Sequence, residues 1–162
     1  MKLELKHSQQ KFLFILGITA IYTALVVGLD FLHGPKLGDE AHFWRASLSF
    51  SERLIPSIED LRSYYALNTP LPFIMFGALE YLFHQGIFAG RLLNLIFSIS
   101  IVFIIGFPSH NKGARAILCV IGLFCCPNYL RGSASLYTDI IASFFVMMGF
   151  VGYLRNRHLL SC

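Results

Sequence analysis

Residues 12–32 read FLFILGITAIYTALVVGLDFL, and soon afterwards residues 38–44 read GDEAHFW. The first stretch is apolar for long enough to cross the roughly 30 Å hydrocarbon core of a bilayer, which takes about 20 residues. The second places two adjacent acids, a histidine and two aromatics just beyond it. Charge near hydrocarbon is costly, so the reading of the chain turns on which side of a membrane those acids would lie.

Composition supports the membrane setting. Of the 162 residues, 56% are hydrophobic and 14% charged, with a mean hydropathy of +0.63. Soluble domains carry about 25% charged residues. The net charge of +4 is not a nucleic-acid footprint, because the cations sit in small clusters beside apolar runs, where they orient a membrane protein. Cys119, Cys125, Cys126 and Cys162 lack metal-site spacing and read as polarizable packing residues. The basic lead-in MKLELKHSQQK resembles the start of a signal peptide. No small-x-small cleavage pattern follows the apolar stretch, so it reads as a retained signal-anchor helix.

Further spans are expected at 87–107, 114–130 and 136–154. The segment 70–86, PLPFIMFGALEYLFHQG, is too short and too punctuated by Pro70, Pro72, Glu80 and His84 to cross, and reads as an interfacial or re-entrant helix. With four spans, Lys2, Lys6 and Lys11, then Lys112 and Arg115, then Arg155 and Arg157 all fall on the cytoplasmic side; a fifth crossing would put the last two groups outside. The expected fold class is therefore all-α integral membrane. About four transmembrane helices form a single module over 1–162, with interfacial helices in a long outer loop, 33–86. The N-terminus is cytoplasmic, in a multi-pass protein of either a bacterial inner membrane or an endoplasmic reticulum membrane.

This topology gathers Asp39, Glu40 and Asp139 at the outer face. DEAHFWRASLSFSERL reads as an amphipathic helix, with Phe43, Ser47, Phe50 and Leu54 at helical spacing, and IEDLRSYYALN as a second, shorter one. Taken singly, each polar residue has an ordinary explanation. Asp39 suits an N-cap, Glu40 a first helical turn, and Arg91 a snorkelling position at the end of a span. Asp139, opening an apolar helix, is less easily explained that way. Together, two acidic positions from distant parts of the chain converge with arginines at one water–lipid boundary.

Three features in order resemble the membrane glycosyltransferases of the GT-C superfamily, which use polyprenyl-phosphate-linked sugars. They include protein O-mannosyltransferases, aminoarabinose lipid A transferases and the dolichol-phosphate-glucose glucosyltransferase. The features are GDEAHFW after the first span; NTPLPFIMFGALEYLFHQGIFAGRLLNLIFS, which leads to Arg91; and CCPNYLRGSASLYTDIIASFF, with Pro127 and Asp139. The resemblance covers residues 12–155 and corresponds to the N-terminal portion of the family. It implies transfer of a sugar from a polyprenyl-phosphate donor to an acceptor hydroxyl on the outer face, with inversion. Asp39 would be the base, and Glu40 would tune it. Asp139 would be a second acid, orienting the acceptor or Asp39, or joining Asp39 in ligating a divalent cation, magnesium or manganese. Arg91 and Arg131 would contact the phosphate. His42 stands where many relatives carry an arginine and falls among the substrate-binding candidates. Family members run longer, so either a second membrane chain supplies the remaining spans or the gene product is truncated. The expected partners are the lipid bilayer and the lipid-linked donor. The competing expectation is a small non-catalytic membrane subunit whose acids cap helices or bind a partner; a transporter is weaker, with Pro127-Asn128 its only broken-helix feature.

Overall fold

The computed structural model describes residues 2–36, 38–66, 68–106 and 113–154. Among them every regular element is an α-helix: α1 (Lys2–Gly28), α2 (Glu40–Leu48), α3 (Ile58–Arg62), α4 (Leu71–Phe83), α5 (Ile87–Gly106), α6 (Gly113–Phe124), α7 (Pro127–Ser133) and α8 (Thr138–Leu154).

The centre of the arrangement is α5, which packs against α1, α4, α6, α7 and α8. It meets α1 antiparallel: Ile15 shares a buried cluster with Ile101 and Val102, while Val26, further along α1, shares one with Leu95. That pairing brings the C-terminal end of α1 beside the N-terminal end of α5. The segment 134–137 between α7 and α8 reaches the same end, where Ala134 joins Val26 and Leu95, and Leu136 packs with Phe76 and Ile141.

The all-helical expectation is met, and the expected spans are only partly reproduced. By length and apolar character one described helix, Ile87–Ile105, is sufficient to cross a bilayer; the pair Pro127–Ser133 and Thr138–Leu154 qualifies together but bends by 106°. The apolar part of α1, Phe12–Gly28, is shorter than the expected 12–32. Its end is marked by Asp30 in the left-handed region, φ 54°. The expected continuous span 114–130 is corrected: α6 stops at Phe124 and a separate α7 begins at Pro127. The cause is local. Proline has no N–H to donate and disfavours helical backbone in the residue before it, and Cys126 is indeed extended, φ −83° and ψ 111°. Of the basic residues used to orient the chain, Lys112, Arg155 and Arg157 lie outside the described residues, as does Cys162; Arg115 and the N-terminal lysines lie in helical stretches whose side chains are not described.

The loop between α1 and α5 holds three helices. The expected long amphipathic helix from Asp39 is shorter than its pattern, ending at Leu48. Its apolar face nevertheless packs as the spacing implies: Ala46 and Phe50 bury against Phe73, with Phe43 beside them. Leu54, the fourth member of the pattern, lies beyond the helix and is exposed. The contact between α2 and α4 is close enough that a Cβ on Gly77 would lie 2.7 Å from the Ser47 carbonyl oxygen, so only glycine fits there. The short helix α3 is set by a capping box. The Ser57 hydroxyl accepts from the Asp60 N–H, and the Asp60 carboxylate accepts from the Ser57 N–H. The segment 70–86 does form one short helix, α4, which opens on prolines where the missing donor costs nothing. It closes at His84 in the left-handed region, and the Glu80 carboxylate then accepts the Gly86 N–H at 2.8 Å.

Candidate functional site

The acids of GDEAHFW part company in the structure. Glu40 opens α2 and turns inward, with no exposed surface, and Arg91 from the first turns of α5 is 2% exposed. The guanidinium and the carboxylate pair through two bonds, Nε to Oε1 at 3.0 Å and Nη2 to Oε2 at 2.7 Å. This fork-to-fork geometry is the strongest form of the interaction. The remaining donors of Arg91 are taken up by backbone carbonyls just past the end of α1. Nη1 donates to Leu32 at 3.0 Å and Gly34 at 2.7 Å, with a longer contact to Phe31, and Nη2 donates to Pro35 at 3.1 Å.

A buried ion pair is tolerable only when its remaining donors and lone pairs are also satisfied. Here they are, because the chain beyond α1 supplies carbonyls that would otherwise be unpaired at the end of a helix. Glu40 Oε1 additionally accepts the Leu136 N–H at 2.6 Å. These contacts change two expectations. Arg91 is a buried clamp on the backbone rather than a snorkelling or phosphate-binding side chain, and Glu40 is bound to it rather than turned toward a substrate.

Asp39 is the exposed member. It precedes α2 with helical backbone, φ −80° and ψ −2°, and its carboxylate makes no capping bond, so the N-cap explanation fails. The turn before it depends on Gly38 at φ +57°, where an L side chain is strained. A Cβ there would also lie 3.1 Å from the Tyr137 hydroxyl and 3.5 Å from Arg131 Nη2. The Gly38–Asp39 backbone therefore lies against Arg131 of α7 and Tyr137 of the α7–α8 turn. The Tyr137 ring also meets Phe43 edge-on at 5.8 Å. Two residues beyond Tyr137, Asp139 sits exposed in the first turn of α8, where the helix dipole favours a carboxylate.

Asn94, fully buried one turn along α5 from Arg91, was not among the residues singled out from the sequence. Its amide donates to the carbonyls of Ser135 at 2.6 Å and Tyr137 at 2.7 Å. A buried amide in an apolar helix needs partners, and its spacing from Arg91 was the signal available in the sequence. On the open side of the site, Lys36 Nζ lies 6.0 Å from the Trp44 ring centroid, and His42 is exposed with its ring edge-on to Tyr65 at 6.0 Å.

The structure thus brings together Gly38–Asp39, Arg131 and the Tyr137–Asp139 turn, and holds them over the buried Glu40–Arg91 pair. Among the described residues no group of three or more His, Cys, Asp or Glu side chains is placed to hold a metal ion. A cation at Asp39 and Asp139 would have to draw its other ligands from substrate or water. Comparison of the chain with family models, curated proteins and solved structures gave no match.

Proposed function

We propose that the chain is a multi-span membrane protein and a glycosyltransferase module of the GT-C type, moving a sugar from a polyprenyl-phosphate donor to an acceptor hydroxyl at the outer membrane face. The observation that carries this reading is the meeting of two exposed acid-bearing turns, at Asp39 and Asp139, with the Arg131 guanidinium, at the end of a bundle of apolar helices. The apolar exterior supports the membrane setting: Leu13, Ile21, Val27, Leu29, Val146 and Leu154 are each more than half exposed, which in water would leave a large apolar surface uncovered.

In this reading Asp39 takes the proton of the acceptor hydroxyl as that oxygen attacks the anomeric carbon. The bond from that carbon to the lipid phosphate breaks on the opposite face, which inverts the centre. The phosphate leaves with its negative charge, next to which the planar guanidinium of Arg131 is suited. Arg91, committed to Glu40 and four carbonyls, takes no part in that contact. Asp139 orients the acceptor. No step draws on a metal ion.

The test is sugar transfer by the purified full chain in detergent, with a polyprenyl-phosphate-linked sugar and a hydroxyl acceptor, wild type beside Asp39→Asn. Transfer by the wild type that disappears in the variant is the expected outcome. A folded wild-type chain that transfers nothing favours the second reading, a non-catalytic membrane subunit. That reading draws support from the Glu40–Arg91–Asn94 network, which would hold the fold together with or without chemistry.

A further inference from the structure

We propose that Arg91, through Glu40, and Asn94, through the Ser135 and Tyr137 carbonyls, are positioning residues that set the separation of the Asp39 and Asp139 carboxylates without touching substrate. The two residues stand three apart on one face of α5 and hold different segments. Arg91 grips the backbone at residues 31–35 and the side chain of Glu40, the neighbour of Asp39. Asn94 grips the carbonyls of Ser135 and Tyr137, just ahead of Asp139. Glu40 closes the figure by accepting the Leu136 N–H. One helical turn of α5 is therefore the common reference for two acid-bearing turns a hundred positions apart in sequence.

The donor geometry distinguishes a clamp from a plain ion pair. Arg91 makes as many bonds to carbonyl oxygens as its shape allows, so a carboxylate at position 91 would face several carbonyl dipoles with their negative ends toward it. Lysine, with a single compact ammonium, cannot span both Glu40 oxygens and the carbonyls of Gly34 and Pro35 together. Exchanging the two charges therefore does not restore the arrangement, although it would restore a simple pair. On the far side, replacing Asn94 by leucine keeps the branched shape while releasing the Ser135 and Tyr137 carbonyls.

The chemical consequence of this arrangement rests on the proposed transfer reaction; the geometry does not. The experiment is a distance measurement by pulsed electron paramagnetic resonance on the full chain in detergent. The four native cysteines are replaced by alanine, and spin labels are placed on Asp39→Cys and Asp139→Cys. The parent is expected to give one narrow distance distribution. Asn94→Leu, Arg91→Lys and the exchange Glu40→Arg with Arg91→Glu are each expected to broaden or shift it.

Variants that melt lower yet keep the parent distribution would overturn the proposal and leave Arg91 and Asn94 as stabilising residues only. A parent distribution recovered by the charge exchange would overturn the clamp. If Arg91→Lys does not fold, Asn94→Leu carries the test alone. Where the wild type transfers sugar, Asn94→Leu is expected to lower kcat by about 100-fold with the acceptor KM little changed, the loss that a displacement of about 1 Å brings. Failure of the transfer reading shows as an inactive wild type, and leaves the distance result standing.

Discussion

Among the described residues, two carboxylate–arginine pairs use the same chemistry to opposite ends. Glu40 and Arg91 are fifty-one positions apart, buried, and surrounded by backbone groups that complete every bond. Arg53 and Asp60 belong to one local stretch, 3.6 Å apart, with the arginine side chain half exposed. The first pair joins α1, α2, α5 and the α7–α8 turn. The second leans on a five-residue helix that already holds itself by its capping box. What separates them is water: an exposed pair competes with solvent and salt, whereas a buried pair has no substitute partner if one member is removed.

The sharpest way to break this comparison is to truncate each pair. Arg91→Ala, or Glu40→Ala, is expected to destabilise the chain by about 3–5 kcal/mol, because the remaining charge stays buried without its partner. Arg53→Ala is expected to leave the melting temperature almost unchanged. Denaturant or thermal unfolding of the four proteins in the same detergent checks both halves, and equal losses from the two pairs would erase the distinction.

A smaller effect belongs to the local cap. Ser57→Ala is expected to cost about 1 kcal/mol, the usual loss of an N-cap side chain, and to act on α3 alone. Hydrogen exchange of the amides at residues 58–62 should accelerate, while those of α5 stay protected.

The smallest effect is one of pH. The bonds from the Ser57 N–H and hydroxyl hold the Asp60 carboxyl below the ordinary carboxylate range, with Arg53 adding to the same direction. A carboxyl lowered in the folded state stabilises it above the unfolded value, near 3.9, and that contribution is lost as pH falls through the folded value. Protection of the α3 amides, taken relative to the intrinsic exchange rate at each pH, should therefore fall below about pH 4, and the Asp60→Asn protein should lack that step.

Much of the chain's architecture was legible from short-range pattern. The apolar run of 87–107 became α5, the proline-opened 70–86 became one short helix, and the Phe43–Phe50 spacing predicted the face that α2 buries. These depend on periodicity and on proline and glycine chemistry, which act over a few residues. The third apolar run misled for the same reason: its hydropathy continues through Pro127, but backbone geometry does not.

The candidate site was legible as a set of residues and not as a set of roles. The sequence brought Asp39, Glu40, Asp139, Arg91 and Arg131 to attention by type and order. It had no means of separating the exposed Asp39 from the buried Glu40, since both sit at the start of one helix and differ only in which way the turn at Gly38 aims them. Nor could it assign Arg91 to carbonyls past the end of α1, or Asn94 to those of Ser135 and Tyr137.

By itself, then, the sequence determined that the chain is helical and apolar, where α4, α5 and α8 begin and stop, and which acids deserve notice. Tertiary structure alone decided which acid is held and which is left open. A charge is buried only where partners from several segments converge on it, and that convergence is set by the packing of α1, α4, α7 and α8 around α5, not by the residues adjacent to it in the chain.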